Sequence, residues 1–377
     1  MKPSSCFILV LCFLGVFQAC QPTPPPEPIP IPIPTGSQQI SLIFDEFQGL
    51  PIVIAGSPGR NLIVSFQRRL ADGSEPQFSP SSLPLPVIMQ DQEGNAWDLF
   101  GEAVSGPMKG ERLLPLNSYM GYWFAFGAFF PGAEIYGQTD LPPHINPEPP
   151  SDNWLLPLSH VFAGTAKDAI PSIDSPQYEE FRPREYLDTP YYLQEQDLII
   201  GIKIHDHYLA YPHAILNWHE VVNDQIGELP FSLLYCPLTG TGMAWDRRID
   251  GGITTFGVSG LLHNNNLMPY DRQTESYWSQ MRGDCVNGRL TGMKAQHLSV
   301  VETSWDTWQQ MFPTPTVLSR QTGSNRAYTD YPYGDFRTNH DLLPYPLSFD
   351  DTRLNRKERV HGIIVDGQAK VYRFSDF

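Results

Sequence analysis

Cysteine is scarce in this chain. Only five cysteines occur among 377 residues, and Cys6, Cys12 and Cys20 lie in the first twenty positions. The other two, Cys236 and Cys285, can form one disulfide or remain as two thiols. The chain is therefore not a disulfide-stabilised scaffold.

Positive charge is also in short supply, with 25 basic against 41 acidic residues and a formal net charge of −16. Neither nucleic acid nor anionic lipid is attracted to an acidic surface, so we expect neither as a partner. The sequence also lacks a Walker loop, a dinucleotide fingerprint and a Ser/His/Asp order. It therefore points to no standard nucleotide-dependent or hydrolytic enzyme.

An apolar run from Phe7 to Phe17 opens the chain and is too short to span a bilayer. It leads into Ala19-Cys20, and a small residue directly before a cysteine is typical of a bacterial lipoprotein signal. We therefore predict an exported protein on the periplasmic or cell-surface face of a bacterial membrane, anchored through lipidated Cys20. An ordinary secretory signal cleaved near Ala19 is the alternative.

Short apolar runs separated by turn residues dominate the rest of the chain and predict a mainly β (α+β) fold. Helices are predicted at 117–130, 213–222 and 304–312. The predicted organisation is a signal peptide at 1–20, a proline-rich tether at 21–38, an N-terminal β unit at 39–140, a connector at 141–180, a central unit at 181–355 and C-terminal strands at 356–377.

An internal repeat indicates that the two units are similar. One copy runs from Asn95-Ala96-Trp97-Asp98 to Phe130-Pro131, and the other runs from Ser276-Tyr277-Trp278-Ser279 to Phe312-Pro313, with Trp123 and Trp308 in corresponding places.

A second repeat links 199–211 with 360–372. Because this strand pair precedes the tryptophan segment in one copy and ends the chain in the other, we predict that residues 358–374 pair with strands from 40–110. The C-terminal strands would then complete the N-terminal unit.

The bacterial and archaeal domain-of-unknown-function family 3179 (DUF3179) is similar to this chain from about Lys167 to Phe374. The resemblance is carried by Ala210-Tyr211-Pro212, residues 215–224, Tyr235-Cys236-Pro237-Leu238, Trp245-Asp246-Arg247, residues 256–262 and Tyr270-Asp271-Arg272. The segment 97–130 resembles a piece that family members often carry at the other end, which implies a permuted arrangement. The resemblance implies no established activity.

One feature of that family bears on chemistry. Many members have a second cysteine three residues after the first, and some have selenocysteine there, which implies redox chemistry. In this chain the position is Thr239. Any redox role that the resemblance implies therefore depends on Cys236 alone.

Cys236 is the main candidate because it ends an apolar strand before a turn rich in glycine and threonine. Turn amides or a histidine would lower the pKa of such a thiol, whereas a buried cysteine acting as a small apolar residue is the alternative. His219 is the candidate base, or else a histidine bonded to backbone. Supporting candidates are Glu220, Asn223, Asp224 and Thr239.

A metal site is a further hypothesis. Nitrogen and sulfur ligands that suit copper or zinc are offered by His205, His213, His219, His263 and Cys236. Their spacing resembles no zinc pattern, so we predict no cofactor and place metal binding third. Asn264-Asn265-Asn266 would line a polar pocket or form a turn.

The sequence therefore predicts thiol-based redox or thiol-transfer chemistry at Cys236 in the cell envelope, with a small molecule or an envelope protein as partner. The alternative is a non-enzymatic ligand-binding or scaffold domain whose pocket lies between the two units. A thiol enzyme needs Cys236 partly exposed and within reach of a histidine or of turn amides.

Overall fold

The computed structural model describes residues 36–140, 148–180 and 192–377, and their regular structure is mainly β-strand. The predicted signal peptide, with Cys20, lies outside the described residues. The first of two similar units begins with β1 (Ser41–Phe47), β2 (Leu50–Ser57), β3 (Leu62–Gln67), β4 (Phe78–Pro80), β5 (Val87–Asp91), β6 (Ala96–Asp98), β7 (Ala103–Ser105), β8 (Asn117–Tyr122), α1 (Trp123–Phe129) and β9 (Glu134–Ile135).

The second unit follows, and the chain then returns to the first unit. The second unit contains β10 (Val161–Ala163), β11 (Tyr178–Glu180), β12 (Leu198–Ile204), β13 (His207–Pro212), α2 (His213–His219), β14 (Val221–Ile226), β15 (Leu229–Cys236), β16 (Thr241–Asp246), β17 (Arg248–Ile249), β18 (Gly252–Ile253), β19 (Phe256–His263), β20 (Asn266–Asp271), β21 (Tyr277–Ser279), β22 (Asp284–Asn287), β23 (His297–Leu298), β24 (Val300–Ser304), α3 (Trp305–Met311) and β25 (Thr316–Leu318). The last strands are β26 (Arg359–Val365) and β27 (Gln368–Arg373), and short 3-10 helices lie at Pro58–Arg60, Leu158–His160 and Phe374–Asp376.

The two units share one sheet topology. The first unit has the strand order β8-β26-β27-β9, and the second has β24-β12-β13-β25 within its sheet, with the same parallel and antiparallel pairings. The C-terminal strands therefore complete the first unit. Their partners are β8 and β9 rather than strands within 40–110, because the predicted helix at 117–130 begins as a strand and becomes helical only at Trp123.

Equivalent residues make equivalent contacts in the two units. An indole nitrogen donates to an aspartate in each, and a tyrosine hydroxyl does the same at a second position. The pairs are Trp97–Asp91 at 3.0 Å and Trp278–Asp271 at 3.1 Å, then Tyr372–Asp45 at 2.9 Å and Tyr211–Asp224 at 2.5 Å. The internal repeat is thus a structural repeat.

Each unit packs a short helix onto a glycine of its central strand. A Cβ atom at Gly362 would overlap the ring of Phe126, and one at Gly201 would overlap that of Trp308. Strand register makes Phe126 the counterpart of Trp308. The predicted equivalence of Trp123 and Trp308 is therefore wrong by about one helical turn.

Two further predictions are corrected by strand pairing. The predicted helix at 213–222 ends at His219, because Val221 begins β14 and pairs with β15. The predicted connector at 141–180 contributes edge strands to the second unit, since β10 pairs with β19 and β11 with β25. Within the described part of the chain, no helix is long and apolar enough to cross a membrane.

The two units meet through hydrogen bonds to equivalent backbone carbonyls. The Tyr122 amide donates to the carbonyl of Thr239 at 2.8 Å, and the Thr303 hydroxyl donates to the carbonyl of Arg60 at 2.8 Å. Strand register makes Thr239 and Arg60 equivalent, each three residues beyond the end of the second strand of a hairpin pair. This pseudo-two-fold junction places the turn after Cys236 against the first unit.

Candidate functional site

Cys236 ends β15, and the following turn closes with a hydrogen bond of 2.8 Å from the Gly240 amide to the Cys236 carbonyl. The thiol is free and 1% exposed, and it donates to the Asn265 carbonyl at 3.6 Å. Burial and the neighbouring Glu220 raise its pKa to about 11, although hydrogen bonds with Thr239 and with the Leu267 backbone act in the opposite direction. At neutral pH this group is a thiol and not a thiolate.

Glu220 lies beside this thiol and follows α2. Its backbone has a φ of 58°, a left-handed conformation that is uncommon for residues other than glycine. The residue is 7% exposed, and burial raises the pKa of its carboxyl to about 8. Among the described residues, no side-chain hydrogen bond or ion pair involves this carboxyl. Glu220 is thus a largely buried acid, mainly neutral at pH 7, whose carboxyl has no partner within the residues that the structure describes.

Three tyrosines border the same region. Burial raises the pKa of Tyr122, Tyr331 and Tyr333, and the Cys236 sulfur contributes in each case. Glu220 contributes to the pKa of Tyr333 as well, so this ring lies near both groups. The Arg337 guanidinium stacks 3.7 Å from the centre of the Tyr331 ring. The surroundings of Cys236 are therefore aromatic and rich in hydroxyl groups.

A segment with few regular elements, residues 319–358, covers the site, and we call it the strap. The asparagine run holds it in place: the Asn265 side chain accepts from the Tyr345 amide at 2.9 Å and donates to its carbonyl at 2.8 Å, while Asn264 accepts from the Ser348 amide at 2.8 Å. Asn264 and Asn265 also adopt positive φ values in the β19–β20 turn. The run is therefore both a turn and the attachment point of the strap.

His219 does not lie within hydrogen-bond distance of Cys236. Its Nδ1 is 2.7 Å from the Pro171 carbonyl, and its Nε2 is 2.7 Å from the Tyr328 hydroxyl. Burial lowers the pKa of the imidazole. Both ring nitrogens are engaged in structural contacts, so the geometry does not place His219 as a base for the thiol.

The structure places some of the supporting candidates beside Cys236 and others away from it. Asn223 bonds Asp174, Ser232 and the Phe256 backbone, and Asp224 accepts from Tyr178 and Tyr211. Neither orients His219. The Thr239 hydroxyl, in contrast, lies 2.8 Å from that of Thr241 in a buried network with Asn266 and Gln280, next to the thiol. Glu220 and Thr239 are the candidates that the fold brings to Cys236.

The histidines proposed as metal ligands lie apart from one another. His205 is exposed in a turn, His213 is 3.3 Å from Glu302, and His263 packs edge-on against Phe129. In the described ranges, no group of three or more His, Cys, Asp or Glu side chains is arranged to hold a metal ion. The mixed histidine and Cys236 ligand set is therefore not assembled.

A family model described as "Protein of unknown function (DUF3179)" matches residues 36–133 and 167–377. The chain belongs to this family. No curated protein and no solved structure matches the chain. The first matched segment of the DUF3179 chain contains β1 to α1 of the first unit. The second contains β11 to β27 and so includes most of the second unit and the C-terminal strands.

A buried ion pair near the site was missed from the sequence. Arg359 donates to Glu302 and to Asn61. Burial acts to raise the pKa of Glu302, but Arg359 and His213 hold it below its usual range. Tyr331, Tyr333 and Arg337 of the strap were missed as well. Their signal was Tyr331-Pro332-Tyr333 in a stretch without apolar periodicity, since aromatic rings there need a surface to cover.

Proposed function

We propose that this DUF3179 protein is a non-enzymatic ligand-binding protein of the cell envelope. Its ligand is a small hydrogen-bonding molecule that binds beside Glu220 and Cys236, between the unit junction and the strap. Export and lipid anchoring through Cys20 belong to the same proposal and rest on the N-terminal sequence.

The Glu220 carboxyl is the observation that carries the proposal. It is buried, its backbone is in an uncommon conformation, and within the described residues its side chain has no hydrogen-bond partner. Uncommon backbone conformations are concentrated at functional sites. A ligand that pairs with the carboxyl supplies the hydrogen-bond partner that the described residues do not provide.

Protonation states indicate what kind of ligand fits. With a pKa of about 8, Glu220 is mainly neutral at pH 7 and both donates and accepts hydrogen bonds. Arg337 is engaged with Tyr331 and donates to Asn217 at 3.2 Å. We therefore expect an uncharged ligand with hydroxyl or amide groups and not an anion.

Thiol chemistry is the second candidate, and Glu220 is the group that favours it. The carboxyl lies near the Cys236 sulfur, and its pKa of about 8 suits a proton acceptor that works near neutral pH. The burial of Cys236 and its thiol pKa of about 11 argue against thiol chemistry. In this scheme Glu220 takes the role that the sequence suggested for His219.

Native mass spectrometry of the full chain purified from cell envelopes tests the binding proposal. We expect a small-molecule adduct on the wild type, and its loss in Glu220→Gln. Glu46→Gln is the matched control, because Glu46 is an exposed acid of the first unit. Alkylation of Cys236 with iodoacetamide between pH 4 and 9 is measured on the same samples. If the wild type carries no adduct and its thiol reacts rapidly at pH 7, the binding proposal is wrong and thiol chemistry becomes the better explanation.

A further inference from the structure

The outer edge of β14 is covered in the second unit. The Ile173 amide donates to the Val221 carbonyl at 2.9 Å, and the Asn223 amide donates to the Ile173 carbonyl at 2.8 Å. Ile173 thus forms a parallel bridge on the side of β14 that faces away from β15. Val221 and Asn223 beneath it are both buried. An extended segment therefore completes this sheet edge in one copy of the repeat.

The matching edge in the first unit is uncovered. The hairpins β1–β2 and β14–β15 have two-residue turns and the same register, so Leu42 corresponds to Val221 and Phe44 to Asn223. The Leu42 carbonyl and the Phe44 amide therefore point away from β2. In the described part of the chain, neither group has a hydrogen-bond partner, and no strand pairs with this side of β1.

This open edge also carries apolar surface. Phe44 is 44% exposed, whereas its counterpart Asn223 is 2% exposed. Unpaired amides and carbonyls beside an exposed apolar side chain form a template on which another extended segment can pair. The outer edge of β1 therefore offers both the backbone groups and the side-chain contact that a docked strand uses.

The path of the strap accounts for the missing cover. The strap precedes β26 in the chain, just as the segment that contains Ile173 precedes β12, and β26 and β12 are counterparts in the repeat. The strap, however, covers the Cys236 site. Among the described residues, the first unit therefore has no counterpart of Ile173 on its own sheet edge.

We propose that residues 29–34 of this chain, which read Ile-Pro-Ile-Pro-Ile-Pro, pair with the outer edge of β1 as an added antiparallel strand. This segment lies outside the described residues, and the pairing is supported by its sequence and by its place in the chain. In an extended strand, every second residue directs both its N–H and its C=O group to the same side. The three isoleucines then face β1, and the prolines, which have no N–H group, face away.

The alternation of isoleucine and proline suits an edge strand in two ways. Each isoleucine offers an amide and a carbonyl to β1, and an isoleucine side chain opposite Phe44 packs beside its ring. The outer side of the added strand has prolines and therefore no N–H donor, so the sheet does not extend to another chain.

Connection and charge favour this segment over a second copy of the protein. Ser37, whose carbonyl accepts from the Gly59 amide at 3.0 Å, lies at the end of the sheet where β1 begins. Residues 35–40 are enough for an antiparallel turn but too few for a parallel crossover, and so short a linker gives a high effective concentration. Two β1 edges paired with each other would bring together the Asp45 and Glu46 carboxylates of two acidic chains.

Hydrogen–deuterium exchange resolved to single amides by mass spectrometry, on the full chain purified from cell envelopes, tests the pairing. We expect the Phe44 amide to exchange more slowly in the wild type than in Ile29→Pro/Ile31→Pro/Ile33→Pro, which removes the three isoleucine donors. The expected difference is about tenfold or more, since one net hydrogen bond is worth about a factor of ten. The Ile43 amide faces β2 and should stay equally protected in both proteins.

The matched control is Pro30→Ala/Pro32→Ala, which changes only the positions that face away and should keep the slow exchange of Phe44. Equal Phe44 exchange in the wild type and the isoleucine variant would overturn the proposal. Protection that falls on dilution would also overturn it, because a second copy would then cover the edge. Rapid Phe44 exchange in the proline variant would contradict the assigned facing of the segment. An unchanged thermal unfolding transition checks that both variants retain the two units.

Discussion

Cys236 and Ser57 hold the same position in the two units. Each ends the second strand of its hairpin, and each is followed by a proline. The Ser57 hydroxyl donates to the Ser37 carbonyl at 3.0 Å, in the segment that leads into the first unit, whereas the Cys236 thiol faces the Asn265 carbonyl at 3.6 Å. The same strand end is therefore covered by different parts of the chain.

This equivalence predicts the effect of Cys236→Ser. Serine is accommodated at the matching position, and its hydroxyl can donate to Asn265, so we expect a loss in the free energy of unfolding of about 1 kcal/mol and an unchanged ligand adduct. Urea denaturation and native mass spectrometry check both parts. Cys285→Ser is the control, since that thiol is buried and donates to the Asn287 carbonyl. A folded Cys236→Ser protein that loses its ligand would show that the sulfur itself is required.

The raised pKa of Glu220 predicts a pH-dependent stability. The folded protein holds a proton up to about pH 8, while the unfolded chain releases it near the usual value of 4.5. Stability from this group is therefore lost as pH rises from about 5 to about 8. Because glutamine does not titrate, the free energy of unfolding of Glu220→Gln relative to wild type should increase over this range by a few kcal/mol.

Urea denaturation at pH 5, 6.5 and 8 measures this difference. Glu46→Gln is again the control, and it should show no trend of comparable size because Glu46 is exposed. A Glu220→Gln difference that stays flat across these pH values would mean that the carboxyl is already ionised, or paired, in the folded protein.

Because Arg359 and Glu302 form a buried ion pair, we expect substitutions at these two positions to have strongly non-additive effects on the free energy of unfolding. Arg359→Leu leaves the Glu302 carboxylate without its main partner and should lower the free energy of unfolding by about 3–5 kcal/mol. The repeat identifies the apolar replacements, since Leu198 is the counterpart of Arg359 and Met120 that of Glu302. We expect Arg359→Leu/Glu302→Met to recover most of the loss. Guanidinium denaturation of the two single variants and the double variant gives the coupling energy, and simple additivity would contradict the expectation.

The proximity of Ser41 to Phe377 predicts a tolerated circular permutation of the described part of the chain. The Ser41 hydroxyl lies 3.4 Å from the carbonyl of Phe377, so residues 356–377 can be moved ahead of residue 36 through a short linker. We expect this permutant to unfold cooperatively at a temperature near that of the wild type. A chain ending at residue 355 should lose the first unit, because β26 and β27 form the centre of its sheet. Amide exchange measured by NMR separates the two outcomes, and a truncated chain with a protected first unit would contradict the repeat assignment.

Local pattern predicted the β class and the family, because periodicity and motifs are properties of neighbouring residues. It also located Cys236 and Glu220. It failed where pairing over long distances decides the conformation, as at 117–122, where an aromatic stretch that favours a helix becomes a strand once β26 lies beside it. The partner of β26 is more than 200 residues away in sequence, and no local preference contains that information.

The internal repeat alone indicates that two similar β-rich units exist and that the C-terminal strands belong with the first one. Which side chains meet at Cys236 depends on long-range packing. His219, the last residue of α2, is close to Cys236 in sequence, yet its ring contacts Pro171 and Tyr328 because Val221 pairs in the sheet. The strap instead brings Tyr331 and Tyr333 near the thiol. Burial then set the pKa values, because desolvation depends on everything that surrounds a group and not on its neighbours in the chain.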